Sequence, residues 1–594
     1  MSDKDRTRDL FLKGVAFLEN RDFYNSEQLF FETLKLAPRS VPTLNNLAIS
    51  QYEQGKKSDA LLTAQRILEI DADNIDAYLM VSTCQKDQKR YDEALKTCHK
   101  IISIDPTIAE AHCNLGYVLS QTEKYEEAIA SFDCAIKLNP YFPDAFLNLG
   151  NALKNLKRYD SAFAAYGQAL TLKPGLAEAW VGRGNTYFEL RRYDDAVAAY
   201  NHALSLKPDL AEAWLGRGNV AFSFKRYEDA FKAYDKALSI NSELATAWLG
   251  RANVFFSLNQ DAEALECFDK AIALKGDLAD AHFNKALSKL SLGEYEEGWK
   301  LYEWRWKNRL FTSPVRYFTP PLWLNDSNIK DKTILIHAEQ GFGDTIQFSR
   351  YLNLLKDKKC KIIFEVQKPL STLFKSSKWQ CEVIVQGEKI PSFDVHCPLV
   401  SLPLAFETRV ETIPANVPYI DAPEEKKIEW AEIIGTTKEK PRIGLAWSGN
   451  PYFAGGLDIS RPVPLSALGA IISNKFEWYR LQKDLRDSDK HALDNLSVIK
   501  DLSDVFNDFS DIAALIEQLD LVISIDTSIA HLAGAMGKPV WIMLAFHSDF
   551  RWLRERTDSP WYPTARLYRQ TKSGDWTNVL ESVSKDLDKN FTAV

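Results

Sequence analysis

The chain has 594 residues, a formal net charge of −8 and a pI near 5.8, which predict several domains and argue against a nucleic-acid partner. No run of about 18 apolar residues occurs, and the N-terminus lacks an apolar core of signal-peptide length. We therefore expect a cytoplasmic protein without a membrane span. No Cys-x-x-Cys pair is present, which predicts free thiols rather than a zinc site or a disulfide framework; the cysteines are Cys84, Cys98, Cys113, Cys134, Cys267, Cys360, Cys381 and Cys397.

The first half of the chain is periodic. Tyrosine recurs every 34 residues, at Tyr91, Tyr125, Tyr159, Tyr193 and Tyr227. Asp261 breaks this register and Tyr295 restores it. A small residue follows each marker by three positions, and a proline follows several of them by fifteen, as expected where paired helices pack closely and the second one ends. The period and pattern resemble the tetratricopeptide repeat, a helix–turn–helix unit, over residues 6–305 in about nine units.

Asparagines mark the first helix of most units. One register holds Asn46, Asn114, Asn148 and Asn284, and a second register, three residues later, holds Asn151, Asn185, Asn219 and Asn253. In the middle units Gly182, Gly216 and Gly250 replace the first set. Positions three apart share a helix face, so these amides predict a ladder that binds the backbone of an extended peptide. The alternative interpretation is solvated or inter-repeat amides.

An aromatic and basic stretch follows the repeats, from Trp299 onward. A last helix with Trp299, Tyr302 and Trp306 is expected to pack the repeat end onto the next domain. Trp304-Arg305-Trp306 could instead form a binding surface, but packing between domains is favoured. Residues 312–325 contain three prolines and predict a connector.

A first α/β region begins with the strand Thr333–Ala338. A glycine-rich turn, residues 339–345, leads into an amphipathic helix that is predicted to reach Lys356. Further strands are predicted at 361–366, 382–386 and 393–397. The turn lacks the third glycine of G-x-G-x-x-G, and no acidic residue ends a second strand, which disfavours a dinucleotide-binding dehydrogenase.

A second α/β region follows a charged helix near 424–435. Strand Ile443–Trp447 runs into Ser448-Gly449-Asn450, and a polar loop ends at Arg461-Pro462 before a helix from about Pro464. A strand over 477–481 delivers Gln482 and Lys483, and a helix over 509–519 follows. Near the C-terminus a strand is expected at 565–568, with a tail helix from Trp576.

The stretch Asp520–Pro539 combines a buried strand, a hydroxyl-rich turn and a short helix. Strand Leu521–Ile525 ends at Asp526-Thr527-Ser528, and a helix over 529–536 precedes the strand 538–544. A helix N-terminus with two hydroxyls suits a phosphate group, and Asp526 is placed to accept hydrogen bonds from sugar hydroxyls. The alternative is that Thr527 and Ser528 only cap the helix.

GFGDTIQ at 341–347 and DTSIAHLAGAMGKPV at 526–540 resemble the heptosyltransferase-like glycosyltransferases of family 9. The flanking motifs are similar to bacterial proteins that join this domain to tetratricopeptide repeats, including flagellin and other protein O-glycosyltransferases. The resemblance implies an α-solenoid followed by a GT-B fold of two Rossmann-like lobes. The expected division is repeats at 1–305, a connector at 306–328, an acceptor-side lobe at 329–437 and a nucleotide-sugar-side lobe at 438–594.

The resemblance also implies roles for residues at both lobe edges. Asp344 matches the aspartate proposed as the catalytic base in the family, although it could instead cap the following helix. His531 is expected either to reach a phosphate or to pack under the sheet. The residues expected to bind the donor are Gln340, Gly341, Gly343, Trp447, Ser448, Gly449, Arg461, Gln482, Lys483, Asp526, Thr527, Ser528 and His531. No Asp-x-Asp triad occurs among these motifs, so no metal or other cofactor is expected.

The leading hypothesis is an inverting glycosyltransferase that moves a sugar from a nucleotide-sugar to Ser or Thr hydroxyls of a protein, such as flagellin, held by the repeats. The acceptor groove would use the eight asparagines of the two registers. A second hypothesis keeps the chemistry but takes a lipid or saccharide acceptor. A third is an inactive repeat scaffold for protein–protein interaction, which the retained Asp344, Arg461 and Asp526 disfavour.

Overall fold

The structure is a computed structural model that describes residues 3–308, 311–377, 379–435, 437–449, 452–453, 456–457, 461–494 and 496–591. The chain forms two compact units, Met1–Ser242 and Glu243–Val594. The second unit holds the last repeat helices together with both α/β regions. The four-part division expected from the sequence stays a prediction. Within the described ranges, no helix combines the length and apolar character needed to cross a bilayer.

The described repeat region consists of eighteen α-helices in nine pairs, as the 34-residue period predicts. The first unit contains α1 (Asp3–Glu19), α2 (Phe23–Leu36), α3 (Val41–Glu53), α4 (Lys57–Leu68), α5 (Ile75–Asp87), α6 (Tyr91–Ile104), α7 (Ala109–Gln121), α8 (Tyr125–Leu138), α9 (Pro143–Asn155), α10 (Tyr159–Leu172), α11 (Ala177–Glu189), α12 (Tyr193–Leu206), α13 (Ala211–Ser223) and α14 (Tyr227–Ile240). The second unit begins with α15 (Ala245–Ser257), α16 (Asp261–Leu274), α17 (Ala279–Ser291) and α18 (Tyr295–Tyr302). The helical solenoid predicted from the sequence is confirmed.

The turn inside each pair uses the left-handed backbone region. One residue per repeat, recurring every 34 positions, has a positive φ. At two of these positions the residue is glycine, Gly55 and Gly293, with φ of 78° and 82°. At the others φ lies between 56° and 61°, at Arg21, Lys89, Glu123, Lys157, Arg191, Lys225 and Asn259. A residue in this conformation ends a helix, because it lets the N–H groups that follow donate to the last carbonyl groups of the helix. The second helix of the pair therefore folds back at once.

Successive first helices touch one another as well as their own partners. The contacting neighbours are α1–α3, α3–α5, α5–α7, α7–α9, α9–α11 and α11–α13 in the first unit, and α15–α17 in the second. In each unit the first helices therefore line a continuous surface, as in helical repeat arrays that bind along an inner groove.

Glycines let a tyrosine ring lie between neighbouring first helices. The Tyr200 ring touches Gly184 of its own repeat and Gly216 of the next, where an added Cβ would lie 2.5 Å and 2.3 Å from ring carbons. Tyr166 has the same relation to Gly150 and Gly182. The glycines that replace asparagine in the first register are thus explained by packing at two positions, because Tyr166 and Tyr200 fill the space of a side chain.

The last repeat helix packs onto both α/β regions. Trp299 makes edge contacts with Phe348 and Phe550, at centroid distances of 6.0 Å and 5.7 Å. A 3₁₀ turn, Glu303–Lys307, follows α18, and its fully buried Arg305 donates to both carboxylate oxygens of Glu339 at 2.9 Å and 2.8 Å. The predicted packing role of this aromatic stretch is confirmed.

The first α/β region has a parallel sheet of β1 (Thr333–His337), β2 (Lys361–Val366), β3 (Glu382–Val385) and β4 (Val395–Pro398), in the order β3-β2-β1-β4. Its helices are α19 (Phe342–Phe348), α20 (Leu352–Asp357), α21 (Ser371–Lys375) and α22 (Leu402–Ala405), with 3₁₀ turns at Ser349–Tyr351, Lys368–Leu370, Leu399–Ser401 and Val410–Thr412. Helix α23 (Glu424–Ile434) leads to the next region.

The single helix predicted to reach Lys356 is wrong, because it breaks at Ser349–Tyr351. Arg350 turns back and donates to the Gln347 carbonyl at 2.8 Å. The Tyr419 hydroxyl bonds the carbonyls of Ile346 and Gln347 at 3.2 Å and 3.3 Å. Side chains that insert into the helical hydrogen-bond ladder break it.

The second α/β region has six parallel strands, β5 (Arg442–Ala446), β8 (Glu477–Arg480), β9 (Ile499–Lys500), β10 (Leu521–Ile525), β11 (Val540–Leu544) and β12 (Ala565–Arg569), and the two-residue hairpin strands β6 (Tyr452–Phe453) and β7 (Gly456–Leu457) lie apart from them. The order is β12-β11-β10-β5-β8-β9. Its helices are α24 (Leu465–Leu468), α25 (Asp487–Asp494), α26 (Phe509–Glu517), α27 (Ser528–Ala535) and α28 (Thr577–Phe591), with 3₁₀ turns at Ser503–Val505 and Phe550–Trp552. The predicted α/β architecture is confirmed, while β9 and the hairpin were missed.

Gly216→Ala should destabilise the repeats, because the new methyl group would overlap the Tyr200 ring. We expect a loss of about 1–3 kcal/mol in the free energy of unfolding, measured by urea titration with circular dichroism. Gly167→Ala is the matched control, since Gly167 lies inside α10 with no atom within 4 Å of an added Cβ. That variant should gain about 0.5–1 kcal/mol, and equal effects of the two changes would contradict the packing interpretation.

Candidate functional site

Two turns leave the second sheet side by side. Strands β5 and β10 are parallel neighbours, with Ala446 opposite Ser524, so the turns after them emerge at the same edge. A Cβ on Gly449 would lie 3.2 Å from Cγ2 of Thr527. Ser448-Gly449 and Asp526-Thr527-Ser528 are therefore neighbours at this edge. Asn450 and residues 458–460 of the predicted loop lie outside the described residues.

Gln482 fixes the turn after β5 from the neighbouring strand end. Its Oε1 accepts from the backbone N–H groups of Trp447 and Ser448 at 2.8 Å and 3.0 Å, and its Nε2 donates to Ser448 Oγ at 2.7 Å. Lys483 donates instead to the Phe506 carbonyl at 2.8 Å. Trp447 is buried and bonds Asp489 through Nε1 at 3.0 Å. The contacts of a bound base with Gln482 and Lys483 stay a prediction.

Thr527 is the N-cap of α27. Its Oγ1 accepts from the Ile529 N–H at 3.3 Å and contacts Ser524 Oγ at 3.1 Å. Arg461 lies beside this turn, because its Nη1 donates to the Asp526 carbonyl at 3.3 Å. Half-buried Ser528 is the first helical residue. A helix N-terminus, an arginine and two hydroxyl side chains thus meet at one turn, which is a suitable environment for an anion.

Asp344 belongs to the first turn of α19. Its Oδ2 accepts from the Gly341 N–H at 2.8 Å, so it does cap the helix as the alternative reading predicted. Its other oxygen forms an ion pair with Arg551, and 15 % of the side chain remains exposed. Burial raises the pKa of this carboxyl, while Arg551 and the Gly341 N–H oppose the rise. The capping contact is compatible with a role as general base, because burial increases the proton affinity of the carboxylate.

Arg551 was missed by sequence reasoning. It lies on the 3₁₀ turn Phe550–Trp552 that follows β11, and it is the cation closest to Asp344 among the contacts described. Its Nε donates to Gln347 Oε1 at 2.6 Å and its Nη1 to Asp549 Oδ1 at 2.8 Å. Contact with the two carboxylates raises its pKa despite burial, so it stays charged. The sequence did offer a signal, because Asp549 and Arg551 follow a few residues after the buried strand β11. They therefore lie near the sheet edge that also carries Asp526.

Asp526 lies at the end of β10 with 15 % of its side chain exposed. Burial, followed by the nearby carboxylate of Asp549, raises its pKa to about 6, and Arg461 and Arg551 oppose this rise. His531 Nε2 is 3.9 Å from Asp526 Oδ1. His531 is itself buried, accepts or donates a hydrogen bond with Tyr562 at 2.9 Å, and stacks on Trp552 at 5.3 Å. Burial and two nearby arginines lower its pKa well below the ordinary value, so it is neutral.

Helices α19 and α27 pack against each other at this site. A Cβ on Gly343 would lie 2.9 Å from Cδ2 of His531 and 3.6 Å from the Ser528 backbone. The first-region helix with Asp344 is thereby placed next to the Asp526 turn. Gly341 is exposed at the start of α19, and Gln340 reaches the other way to donate to the Tyr302 hydroxyl at 2.9 Å. The donor contacts predicted for these residues stay predictions.

The asparagines are half-buried on first helices of the repeats. Three of them accept from a tyrosine hydroxyl, in the pairs Asn151–Tyr166, Asn185–Tyr200 and Asn219–Tyr234 at 2.9, 2.8 and 2.9 Å. Asn114 donates to Ser82 at 3.1 Å, and Asn284 donates to Asn253 at 2.8 Å. Asn46 and Asn148 complete the set on α3 and α9. The peptide ladder stays a prediction, and the tyrosines fix the orientation of three of its amides.

Comparisons with known proteins match both halves of the chain. Tetratricopeptide-repeat families match residues 75–108, 109–142, 143–175, 181–245 and 252–293. Glycosyltransferase family 9 (heptosyltransferase) matches residues 507–556, which include Asp526, Thr527 and Arg551. The chain therefore carries tetratricopeptide repeats and, nearer its C-terminus, a segment that matches glycosyltransferase family 9. Asp344 and Arg461 lie outside that matched segment.

Individual relatives cover only part of the chain. Protein FlbA of Caulobacter vibrioides is 24 % identical over 333 residues, which are 51 % of this chain and 54 % of FlbA, so the chain spans about half the length of this relative. A tetratricopeptide repeat protein from Parabacteroides merdae is 20 % identical with a TM-score of 0.38, covering 42 % of this chain and 98 % of that one. The Cut9–Hcn1 heterotetramer of the APC/C is 19 % identical with a TM-score of 0.40, covering 50 % and 60 %.

The raised pKa of Asp526 makes stability depend on pH. Between pH 7 and 5 the folded carboxyl takes up a proton, while the unfolded carboxyl, with a pKa near 3.9, does not. Lower pH therefore favours the folded state through this group. We expect the stability difference between wild type and Asp526→Asn to shift in favour of wild type as the pH falls from 7 to 5. Urea titrations of both proteins would measure it, and a constant difference would contradict the assignment.

Proposed function

We propose that the family 9 domain is a GT-B glycosyltransferase that moves a sugar from a nucleotide-sugar to a Ser or Thr hydroxyl of a protein held by the repeats. The observation that carries the proposal is the convergence of Asp344 with the Asp526-Thr527-Ser528 turn beside Arg461. Flagellin is a candidate acceptor because the sequence resembles flagellin glycosyltransferases.

Each lobe supplies one half of the proposed chemistry. Asp344 takes the proton from the acceptor hydroxyl while that oxygen attacks the anomeric carbon of the sugar. The bond from the anomeric carbon to the diphosphate oxygen breaks, and its electron pair leaves with the nucleoside diphosphate. The N–H groups of the first turn of α27 and the guanidinium of Arg461 stabilise the charge on the leaving group. Asp526 accepts hydrogen bonds from sugar hydroxyls.

A single displacement inverts the anomeric centre, so we propose an inverting reaction. We also propose that no metal takes part, since an arginine and a helix N-terminus lie where the diphosphate would sit. Among the described residues, no group of three or more His, Cys, Asp and Glu side chains is arranged to hold a metal ion. Full transfer activity in excess chelator would support this, and a loss restored by one divalent cation would overturn it.

The repeats support a polypeptide acceptor over a lipid or a saccharide. Their first helices line a surface that carries regularly spaced amides, and each amide offers one donor and one acceptor. The hydroxyls of Tyr166, Tyr200 and Tyr234 occupy an amide oxygen in three repeats, which leaves the Nδ2 groups to donate to peptide carbonyls.

Asp344→Asn should separate chemistry from donor binding. The amide keeps the acceptor oxygen for the Gly341 N–H but cannot act as a base, so we expect transfer to fall at least about 100-fold, the lower range for general-base catalysis. The thermal shift produced by the matching nucleoside diphosphate should be retained. Thr527→Ala should lose that shift. In wild type, ligand at a hundredfold excess over Kd stabilises the folded state by about 2.7 kcal/mol.

Asn74→Ala is the control for the loss of a helix cap, because Asn74 caps α5 through the Ala77 N–H at 3.0 Å. This variant should be less stable by about 0.5–2 kcal/mol, yet keep its nucleotide-induced shift. If no nucleoside diphosphate shifts the wild type at millimolar concentration, the donor site is absent and the scaffold hypothesis is favoured.

Replacing Asn151, Asn185 and Asn219 together by alanine should weaken acceptor binding without changing the chemistry. Three lost hydrogen bonds of about 0.5–1.5 kcal/mol each predict a rise in the acceptor KM of at least about tenfold. Hydrolysis of the nucleotide-sugar in the absence of acceptor should be unchanged. Asn201→Ala, an exposed position on the second helix α12, is the matched control. An unchanged KM in the triple variant would overturn the proposal that these amides bind the acceptor peptide.

A further inference from the structure

The segment Phe546–Arg554 connects the repeats to the site. It follows β11 and carries Asp549, Arg551 and Trp552, which contact or face Asp344, Asp526 and His531. Its two ends are bonded instead to the eighth repeat, α15 and α16, and to α17. One short stretch of chain is therefore held by repeat residues at both ends and by site residues in its middle.

The N-terminal end of this segment is held by Asn259. Its Nδ2 donates to the Phe546 carbonyl at 2.8 Å, and its Oδ1 lies 2.9 Å from Nδ1 of His547. The His547 ring also packs edge-on against Phe256 at 4.5 Å. Asn259 occupies the left-handed turn position of its repeat, where other repeats carry lysine, arginine, glutamate or glycine. Its amide makes two contacts that none of those side chains could make together.

The C-terminal end is held by Asp261, the residue that breaks the tyrosine register. Its side chain is 5 % exposed, its Oδ2 accepts from Arg554 Nε at 3.0 Å, and its Oδ1 accepts from Ser288 Oγ at 2.8 Å. The Arg554 backbone N–H also donates to the Ser291 carbonyl at 3.1 Å. Tyrosine at this position would offer a hydroxyl but no buried charge for Arg554. Asp261, which breaks the repeat pattern, therefore pairs with Arg554, a residue of the segment that matches family 9.

A buried ion pair fixes geometry more than it adds stability. Breaking such a pair is strongly destabilising, whereas replacing both members by apolar groups is often neutral, so the pair of Asp261 with Arg554 favours a directional role. In the middle of the segment Arg551 is bonded to Asp344, Gln347 and Asp549 at once. The orientation of the Asp344 carboxylate therefore depends on where the segment is held.

We propose that Asp261 and Asn259 are positioning residues for glycosyl transfer: by holding the two ends of Phe546–Arg554, the eighth repeat keeps Arg551 against Asp344. This inference rests on the proposed function for its kinetic consequence. The docking of the segment on the repeat can be measured independently of any activity, so the two can fail separately. The repeats then act on the reaction itself as well as on the acceptor.

Asp261→Asn tests the proposal, because the amide keeps an acceptor for Ser288 but loses the charge that holds Arg554. We expect kcat to fall at least about tenfold, since a displacement of about 1 Å in a catalytic group costs up to 100-fold, while the KM for the nucleotide-sugar changes less than about twofold. Amide hydrogen exchange in residues 546–554 should become faster. Arg554→Gln should give the same result, and the double variant should be no worse than either single one. Asp277→Asn, an exposed aspartate after α16, is the control.

Asn259→Gly is the second variant in case Asp261→Asn fails to fold. Glycine occupies this turn position in two other repeats, at Gly55 and Gly293, so the repeat should tolerate it while both contacts to the segment are lost. It should lower kcat and speed exchange in the same way. Unchanged exchange in both variants, or faster exchange with an unchanged kcat, overturns the positioning role. If wild type transfers no sugar, the proposed function fails, and faster exchange in the variants still establishes the docking.

Discussion

The buried pair of Arg551 and Asp344 is the interaction on which the site depends. It joins a helix of the first α/β region to a loop of the second, and both side chains are largely removed from water. A buried charge is tolerated only when it is paired and hydrogen-bonded, so Gln347, Asp549 and the Gly341 N–H complete the set around them. Beside the pair, α19 and α27 also pack closely, with Gly343 against His531.

A second constraint acts in the repeats, where a ring and an amide compete for the same space. In the middle repeats Tyr166 and Tyr200 lie against Gly182 and Gly216, so no side chain fits at the first asparagine register. In these two repeats asparagine stands three residues later on the same helix face, at Asn185 and Asn219, and its amide oxygen accepts from the tyrosine hydroxyl of the same repeat, Tyr200 or Tyr234. Packing therefore explains the glycines of the first register, and a hydrogen bond holds the amides of the second. This hydrogen bond also orients the amide, since a bonded oxygen leaves the nitrogen to face the surface.

The sequence predicted what local patterns encode. A period of 34 residues marks the repeats, and runs such as Leu521–Ile525 mark buried strands, because burial on both faces demands continuous apolar residues. The turn at Asp526 could be predicted for the same reason. Arg551 could not, because its role depends on Asp344, 207 positions away in the chain. The helix break at Ser349–Tyr351 was also hidden, since Arg350 and Tyr419 cause it through contacts that span the fold.

The balance of forces on Asp344 explains why a base would be placed beside an arginine. Burial raises the pKa of the carboxyl, and a raised pKa gives stronger proton abstraction at neutral pH. Burial also disfavours the ionised form that a base needs, and the contact with Arg551 opposes this effect on the pKa. In the proposed reaction the strength of this base would depend on how closely Arg551 is held, and the contacts that hold its segment come from Asp261 and Asn259 in the eighth repeat. A change in that repeat would therefore reach the reaction through the proton affinity of one carboxylate.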